Sequence, residues 1–416
     1  MYKKNNKCRI CGNTRLVSVV DLGKLSLTGL FPKASSKLVP PGPLELVKCH
    51  GGAERCCGLL QLKHTYEPGE MYGNNYGYRS GLNQSMVTHL RDTVKKLEKT
   101  VNLVKGDLVL DIGSNDGTLL KSYPAGKYVC AGIDPTGNKF KKYYPANIRL
   151  IPDFFSSALV KKNFRGKKAK IVTSIAMFYD LSSPMNFMRQ IHEVLADDGV
   201  WLFEQSYMPT MLRVNAYDTI CHEHLEYYGL KQIKWMADRT GFKIIDVQLN
   251  DVNGGSFSVL MAKDESGLKE DRKTVSRLLA KEAGLGLDTL RPYKEFKDKM
   301  SKHRKKLLAL VGKLKAQKKI VFGYGASTKG NVILQFCGLT SADIPFIAEV
   351  NEEKYGCLTP GSLIPIISEE KARALKPDYF LVMPWHFKKN IIEREMGFVK
   401  AGGKLIFPLP SLGVYP

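Results

Sequence analysis

Apolar and polar positions along the 416-residue chain change period several times. Residues 83–101, NQSMVTHLRDTVKKLEKTV, repeat their apolar positions every three to four residues, which predicts an amphipathic helix. That helix leads into 107–120, DLVLDIGSNDGTLL: an apolar run, a glycine-rich turn and a new helix start. Further apolar runs at 127–134 (KYVCAGID), 169–178 (AKIVTSIAMF) and 199–206 (GVWLFEQS) read as strands, with helical segments such as 186–195 (NFMRQIHEVL) between them. Strands alternating with helices predict a parallel sheet covered on both faces. The same strand, turn and helix return at 318–337 (KKIVFGYGASTKGNVILQFC), and 342–350, 377–385 and 403–410 read as strands of a second, smaller α/β unit. Between the two units, the polar, lysine-rich stretch 264–318 reads as long exposed helices joining domains.

Residues up to about 70 show few helical patterns and hold five of the nine cysteines. The expected division is therefore α/β throughout the larger part, with units at 1–70, 71–262 and 263–416. Cys8 and Cys11 form a C-x2-C knuckle, and Cys49, Cys56 and Cys57 supply a second group. Four thiolates at tetrahedral spacing bind zinc and stabilise a segment otherwise short of core. Neighbouring cysteines do not readily ligate one ion together, so one of Cys56 and Cys57 is spare; Cys8, Cys11, Cys49 and, of that pair, Cys57 in preference to Cys56 are the expected ligands of a structural Zn2+. The N-terminal MYKKNNKC lacks the apolar core of a signal peptide, and no apolar run reaches bilayer length. With cysteines suited to a metal or to reduced thiols, the chain reads as a soluble, cytoplasmic protein.

Charge adds one question. The formal net charge is +23, which attracts polyanions, so nucleic acid has to be weighed as a partner. The lysines are scattered, with local density in KKNFRGKKAK and DKMSKHRKKLLALVGKLKAQKK, and read as solvated helix faces and loops. The same field suits a small substrate carrying a diphosphate.

Two constellations carry chemistry. The first is the turn from Asp111 to Gly117, D-I-G-S-N-D-G. Gly113 and Gly117 allow a tight turn and close ligand approach, Asn115 and Asp116 lie between them, and Asp111 can meet the ammonium of a methionine-like group. Asp134, at the end of the next strand, is placed for the two hydroxyls of an adenosine ribose. Asp153 offers an acidic contact and Phe154–Phe155 an aromatic wall for adenine. The set points to S-adenosyl-L-methionine, since D-x-G-x-x-x-G differs from the dinucleotide G-x-G-x-x-G. The second constellation is His222-Glu223-His224, followed by Leu225, Glu226, Tyr227 and Tyr228. In an extended segment both histidines point one way and Glu223 the other. A histidine of tuned pKa beside a carboxylate is a natural general base.

In order and spacing, the cysteine head with CCGLLQL, YRSGLNQSM, LDIGSNDGTLL, FEQSY, HEHLEYY, NGGSF, GYGASTKGN and PWHF resemble the three-domain C-methyltransferases of nucleotide-linked keto-sugars. The resemblance runs through nearly the whole chain. It implies a small zinc-binding domain, a central class I (Rossmann-like) methyltransferase domain and a smaller Rossmann-like C-terminal domain that helps hold a nucleotide-sugar. It also implies His224 as the base with Glu223 beside it, and Tyr76 or Tyr78 near the sugar with Arg79 and Ser80 next to them. In antibiotic-sugar members of this family a tyrosine often stands where this chain has Cys221. Asn253, Gly255 and Ser256 are expected to line the sugar cleft, and Gly325 and Lys329 to meet the diphosphate. The expected reaction methylates a carbon next to the ketone, in a monomer or weak oligomer with no nucleic acid or membrane partner. The competing readings are a zinc-containing RNA methyltransferase, a nicotinamide-dependent sugar oxidoreductase using the GYGAS turn, and a donor-binding protein without turnover.

Overall fold

The computed structural model describes residues 2–35, 38–51, 56–72 and 78–416. The head is built from a four-stranded antiparallel sheet ordered Glu226–Tyr227, Leu60–Leu62, Pro41–Cys49, Leu16–Ser26, beside a two-stranded pair, Tyr2–Lys4 with His64–Tyr66. One strand of the head sheet, Glu226–Tyr227, thus comes from the segment just after the two histidines.

The central unit carries seven strands, numbered here in chain order: β1 Leu108–Ile112, β2 Val129–Ile133, β3 Ile148–Ile151, β4 Ala169–Ile175, β5 Leu195–Ser206, β6 Phe242–Asn250 and β7 Ser256–Lys263. Their order in the sheet is β6-β7-β5-β4-β1-β2-β3. Pairing is parallel from β5 through β4 and β1 to β3, and β7 runs antiparallel between β5 and β6. Every residue of β1 is buried, which is why LVLDI reads as a continuous apolar run instead of an alternating one. The chain reverses its winding direction between β1 and β4, and open α/β sheets bind ligands outside the carboxyl ends of strands at such a point.

The expected amphipathic helix is Gln84–Thr100, capped by Asn83, whose side chain accepts the Ser85 N–H at 3.0 Å. Met86, Leu90, Val94 and Leu97 form its buried stripe against the central sheet.

The C-terminal unit is a six-stranded sheet ordered Ile366–Ser368, Ile347–Glu349, Val321–Tyr324, Tyr379–Val382, Lys404–Phe407, Gly413–Tyr415, parallel except for the last strand. The joining stretch forms helices Arg272–Gly284 and Arg291–Ala316. The second is not simply exposed. Tyr293, Phe296, Met300, His303, Leu307, Val311 and Leu314 recur at three- and four-residue intervals and are buried in the core shared with the C-terminal unit. Its lysines occupy the outer face, so the basic run is the solvated side of a packed helix. Among the described residues, no helix is long and apolar enough to cross a membrane.

Candidate active site

The turn after β1 shapes one wall of the site. Gly113 (φ 73°) and Gly117 (φ 72°) occupy the left-handed region. A Cβ at Gly113 would meet Met177 Cγ at 3.0 Å, and one at Gly117 would meet the Tyr144 ring at 3.0 Å. Asn115 donates its backbone N–H to Asp134 Oδ2 at 2.7 Å, and the Thr136 N–H reaches Asp134 Oδ1 at 2.7 Å. The ends of β1 and β2 are thereby locked together through one carboxylate.

The segment after the head closes over this turn. The Ser80 N–H bonds to Asn115 Oδ1 at 3.0 Å, the Gly81 N–H to Asp116 Oδ2 at 3.0 Å, and Asn115 Nδ2 to the Tyr78 carbonyl at 3.2 Å. Arg79 lies over the Tyr143 ring, 4.4 Å from its centroid. Asp116 therefore anchors the lid segment and the Thr118 N–H, at 3.2 Å, and does not line the pocket.

A pocket with about 1090 Å³ of empty space, its open mouth included, lies between these elements. Asp134, Thr136, Phe154, Phe155 and Met177 are among its walls. A carboxylate offers about four acceptor positions, and the Asn115 N–H with the Thr136 N–H and hydroxyl take three, so Asp134 can still receive a ribose hydroxyl between flat apolar surfaces suited to a base. These residues fit S-adenosylmethionine. Asp153 departs from expectation: it is exposed, accepts the Phe154 N–H at 2.7 Å and is not part of the wall. Asp111 lines a smaller adjoining pocket with Tyr78, Ser80, Glu204 and Asn253. It accepts the Thr173 hydroxyl at 2.6 Å, and burial pushes its carboxyl up to about 7. Glu204 in the same pocket is held by His89 Nε2 at 2.7 Å and Asn250 Nδ2 at 2.8 Å. Sequence reasoning missed Glu204, although its place at the end of an apolar strand marks it.

The two histidines do not share a direction, because residues 221–225 form an irregular loop and not a strand. His222 is fully enclosed by the head. Its Nδ1 accepts the Thr28 N–H at 3.3 Å, its Nε2 donates to the Gly42 carbonyl at 3.4 Å, and the Tyr66 ring packs edge-on against it. Burial pushes His222 down to about 4, and with both ring nitrogens engaged by the head it holds structure instead of moving protons. Glu223 points at Thr28, whose hydroxyl lies 3.5 Å from Oε2. It does not orient His224; the Thr219 carbonyl does, accepting from Nδ1 at 2.8 Å. Tyr179 covers one face of that imidazole, with ring centroids 4.2 Å apart. His224 lies deep in the protein yet keeps accessible surface, and burial together with Lys329 pushes it down to about 3.

Tyr78 shares this mixture of depth and access: it is 46% exposed, lines both pockets, and burial raises its phenol. Tyr76 lies outside the described residues.

On the C-terminal side, Lys329 starts helix Thr328–Cys337 and donates Nζ to the Asn253 carbonyl at 2.7 Å. Burial lowers its ammonium, with Asp218 opposing the shift. Gly325 lies against Pro384, and the Gly254 turn against Trp385. Trp385 Nε1 donates to Asp218 Oδ2 at 2.7 Å. Gly255 accepts the Tyr207 N–H at 3.1 Å, and Ser256 is buried with its hydroxyl on the Val252 carbonyl at 2.9 Å, so both shape the turn rather than line a cleft. Asp218 Oδ1 and His386 Nδ1 are buried without a partner among the described residues, which adds two polar groups that sequence reasoning did not assign. His386 stands in the PWHF segment, which was visible as a motif without a role.

In the head, the sulfurs of Cys8, Cys11, Cys49 and Cys57 all lie within 4.8 Å of one another, with Cys8–Cys57 at 3.5 Å and Cys11–Cys49 at 3.6 Å. Zinc–sulfur bonds of ~2.3 Å imply tetrahedral edges of roughly 3.8 Å, so the four thiols fit one zinc ion. Asn13 Nδ2 lies 3.4 Å from Cys49 Sγ, a partner for thiolate charge. Cys56 approaches Cys49 Sγ at 3.5 Å but stands outside the set of four.

Three family models match the chain in sequence: "Putative zinc binding domain" over residues 8–72, "Methyltransferase domain" over 83–247, and "C-methyltransferase C-terminal domain" over 251–410. The chain is 32% identical over 409 residues to the C-methyltransferase NovU of Streptomyces niveus, covering 98% of this chain and 96% of that one. Among solved structures it is similar to an S-adenosylmethionine-dependent methyltransferase from Clostridium acetobutylicum ATCC 824, with 15% identity, a TM-score of 0.34, and 42% of this chain and 92% of that one covered. It is also similar to the CurJ carbon methyltransferase, with 12% identity, a TM-score of 0.34, and 44% of this chain and 56% of that one covered.

Proposed function

Because the chain belongs to the family of S-adenosylmethionine-dependent C-methyltransferases, we propose that it methylates the carbon next to the ketone of a nucleotide-linked keto-sugar, with His224 as the base. A methyl transferred to carbon separates this reading from sugar oxidoreduction. One observation carries it: His224 Nδ1–H is committed to the Thr219 carbonyl, which leaves the Nε2 lone pair as an acceptor on an imidazole that keeps accessible surface.

Carbon is a poor nucleophile until a neighbouring carbonyl acidifies its C–H. His224 takes that proton, and the carbon then attacks the electrophile, which is the sulfonium methyl supplied by the bound donor. Asp134 would hold the ribose of that donor, Phe154 and Phe155 its base, and the Tyr78 to Gly81 segment would cover it. Lys329, with Asn253 fixing its ammonium, would meet the sugar diphosphate. The lowered basicity of His224 then has a purpose. An anion beside Lys329 cancels the positive field that, after burial, depresses the imidazole, so the base strengthens when substrate arrives. With the chain divided at 1–70, 71–262 and 263–416, the first unit supplies a metal-braced floor, the second the donor site and the third the nucleotide-sugar site. No metal is needed for the chemistry, and zinc serves the head.

The test is His224→Asn with a panel of nucleoside-diphosphate 4-keto-deoxysugars. The variant is expected to bind S-adenosylhomocysteine normally and to lose methyl transfer by roughly a hundredfold or more. Near-normal transfer would move the base elsewhere.

A further inference from the structure

Asp180 is a second carboxyl on the donor pocket, beside Asp134, and no role has yet been given to it. Its Oδ2 accepts the Tyr72 hydroxyl at 2.9 Å. Its Oδ1 is shielded from solvent and has no hydrogen-bond partner among the described residues. Residue 180 also follows Tyr179, whose ring covers His224 at 4.2 Å and whose carbonyl accepts the Leu225 N–H at 2.8 Å. One short turn, Phe178–Asp180, therefore borders the pocket on one side and braces the base on the other.

The hydrogens can be counted. An ionised Asp180 with Tyr72 has one hydroxyl hydrogen, spent on the bond between them, and Oδ1 is left as a buried, unpaired anion. An un-ionised Asp180 brings a second hydrogen, which the internal bond does not use. Burial holds this carboxyl well above the usual carboxylate range; the Tyr72 bond opposes the shift, and Glu223 and Glu226 add to it. We propose that Asp180 is a further catalytic residue, an un-ionised carboxyl that donates its free hydrogen to the oxyanion formed when His224 deprotonates the substrate. The proposal rests on the enolate reading above.

The step balances. The C–H electron pair becomes the carbon–carbon π bond, the carbonyl π pair moves to oxygen, and the proton goes to His224 Nε2. Asp180 hydrogen-bonds that oxygen and keeps its own proton. In the second half the enolate pair forms the new carbon–methyl bond, the methyl–sulfur pair stays on sulfur, the carbonyl returns, and His224 releases its proton to solvent. A neutral acid donor in a water-poor site is an efficient oxyanion partner, and loss of one such donor lowers turnover by about 10²–10³.

The experiment compares Asp180→Asn with Asp180→Ala, using whichever 4-keto-deoxysugar of the panel the wild type methylates. Turnover, solvent-deuterium exchange at the carbon next to the ketone, and S-adenosylhomocysteine affinity are read together. Both variants are expected to bind S-adenosylhomocysteine within twofold of wild type, which also reports folding. Asp180→Ala is expected to lose about a hundredfold in turnover and exchange together. Asp180→Asn stays within about tenfold, because its amide is neutral and still donates. Equal loss in the two variants means that an ionised carboxylate is required and overturns the proposal. So do weakened S-adenosylhomocysteine binding in Asp180→Asn and normal turnover in Asp180→Ala. If wild type methylates without exchange, or methylates oxygen, the enolate reading fails and takes Asp180's role with it. Wild-type exchange that both variants leave intact removes Asp180 alone.

Discussion

Asp134 joins two strand ends by accepting the Asn115 and Thr136 N–H groups, and it faces the pocket where ribose hydroxyls would arrive. Asp134→Ala is expected to weaken calorimetric binding of S-adenosylmethionine by about 1–3 kcal/mol, the scale of lost charged hydrogen bonds. Unchanged affinity would remove Asp134 from the donor site. His222 tests burial instead of chemistry. Its imidazole is pushed down to about 4 by burial, so between that value and the ordinary ~6.5 the unfolded chain binds the extra proton. Stability from this group is therefore present above pH ~6.5 and lost as pH falls towards 4. Buried Asp111 and Asp180, with raised carboxyls, act with the opposite sign, so the readout is a difference between proteins. Urea midpoints from pH 7.5 down to 5 are expected to fall less in His222→Gln than in wild type; parallel curves would contradict this. At this scale the sequence was only partly legible. Asp134 and Gly113 directly follow strand ends, as their place in the sequence implied, and Cys8, Cys11 and Cys49 cluster with Cys57, which spacing alone did not separate from Cys56. The opposed directions of His222 and His224 were not readable, because alternation applies to strands and 221–225 is a loop. Asp180 was hidden because one acid after an apolar run carries no pattern, and its meaning comes from Tyr72, far away in sequence.

The element that ties the head to the central unit is the strand Glu226–Tyr227, which follows the loop carrying His222 and His224 and pairs with Leu60–Leu62 of the head. Arg9, between the zinc-knuckle cysteines, donates to the Leu62 carbonyl at 2.6 Å and lies 3.6 Å from the Glu226 carboxylate. Zinc thus braces the floor on which His224 stands. Cys8→Ser is expected to remove zinc by elemental analysis, raise hydrogen exchange across 222–227, and lower methyl transfer with donor affinity near wild type. Cys56→Ser should keep its metal. Zinc retained without Cys8, or lost without Cys56, would show the ligand set to be wrong. Elements with one clear period were legible: β1 as an apolar run and Gln84–Thr100 as an amphipathic helix. Arg291–Ala316 was half legible, because its lysines mask an apolar stripe that only appears when intervals of three and four are followed over the whole helix. The Glu226–Tyr227 pairing was beyond reach, since two residues are too few to show alternation and the partner strand lies in another unit.

At the scale of the molecule, the three units are tied together by contacts that cross between them. The central sheet opens a pocket at its switch point, and helix Thr328–Cys337 brings Lys329 from the C-terminal unit. That helix also ties to the head, with Asn331 Nδ2 on the Thr28 carbonyl at 2.8 Å and Gln335 Nε2 on the Ser26 carbonyl at 3.1 Å. The net charge of +23 is consistent with an anionic substrate, though a dense basic run lies on the outer face of Arg291–Ala316. The most direct measurement of the central claim is the position of the transferred methyl. The wild-type protein is incubated in deuterated water with a nucleoside-diphosphate 4-keto-deoxysugar and 13C-methyl S-adenosylmethionine, and the product is read by NMR. The expected product has a new carbon–carbon bond at the carbon next to the ketone, and deuterium is expected at that same carbon when the methyl donor is omitted. A labelled methyl on oxygen or nitrogen, or carbon methylation with no exchange at that carbon, would contradict it.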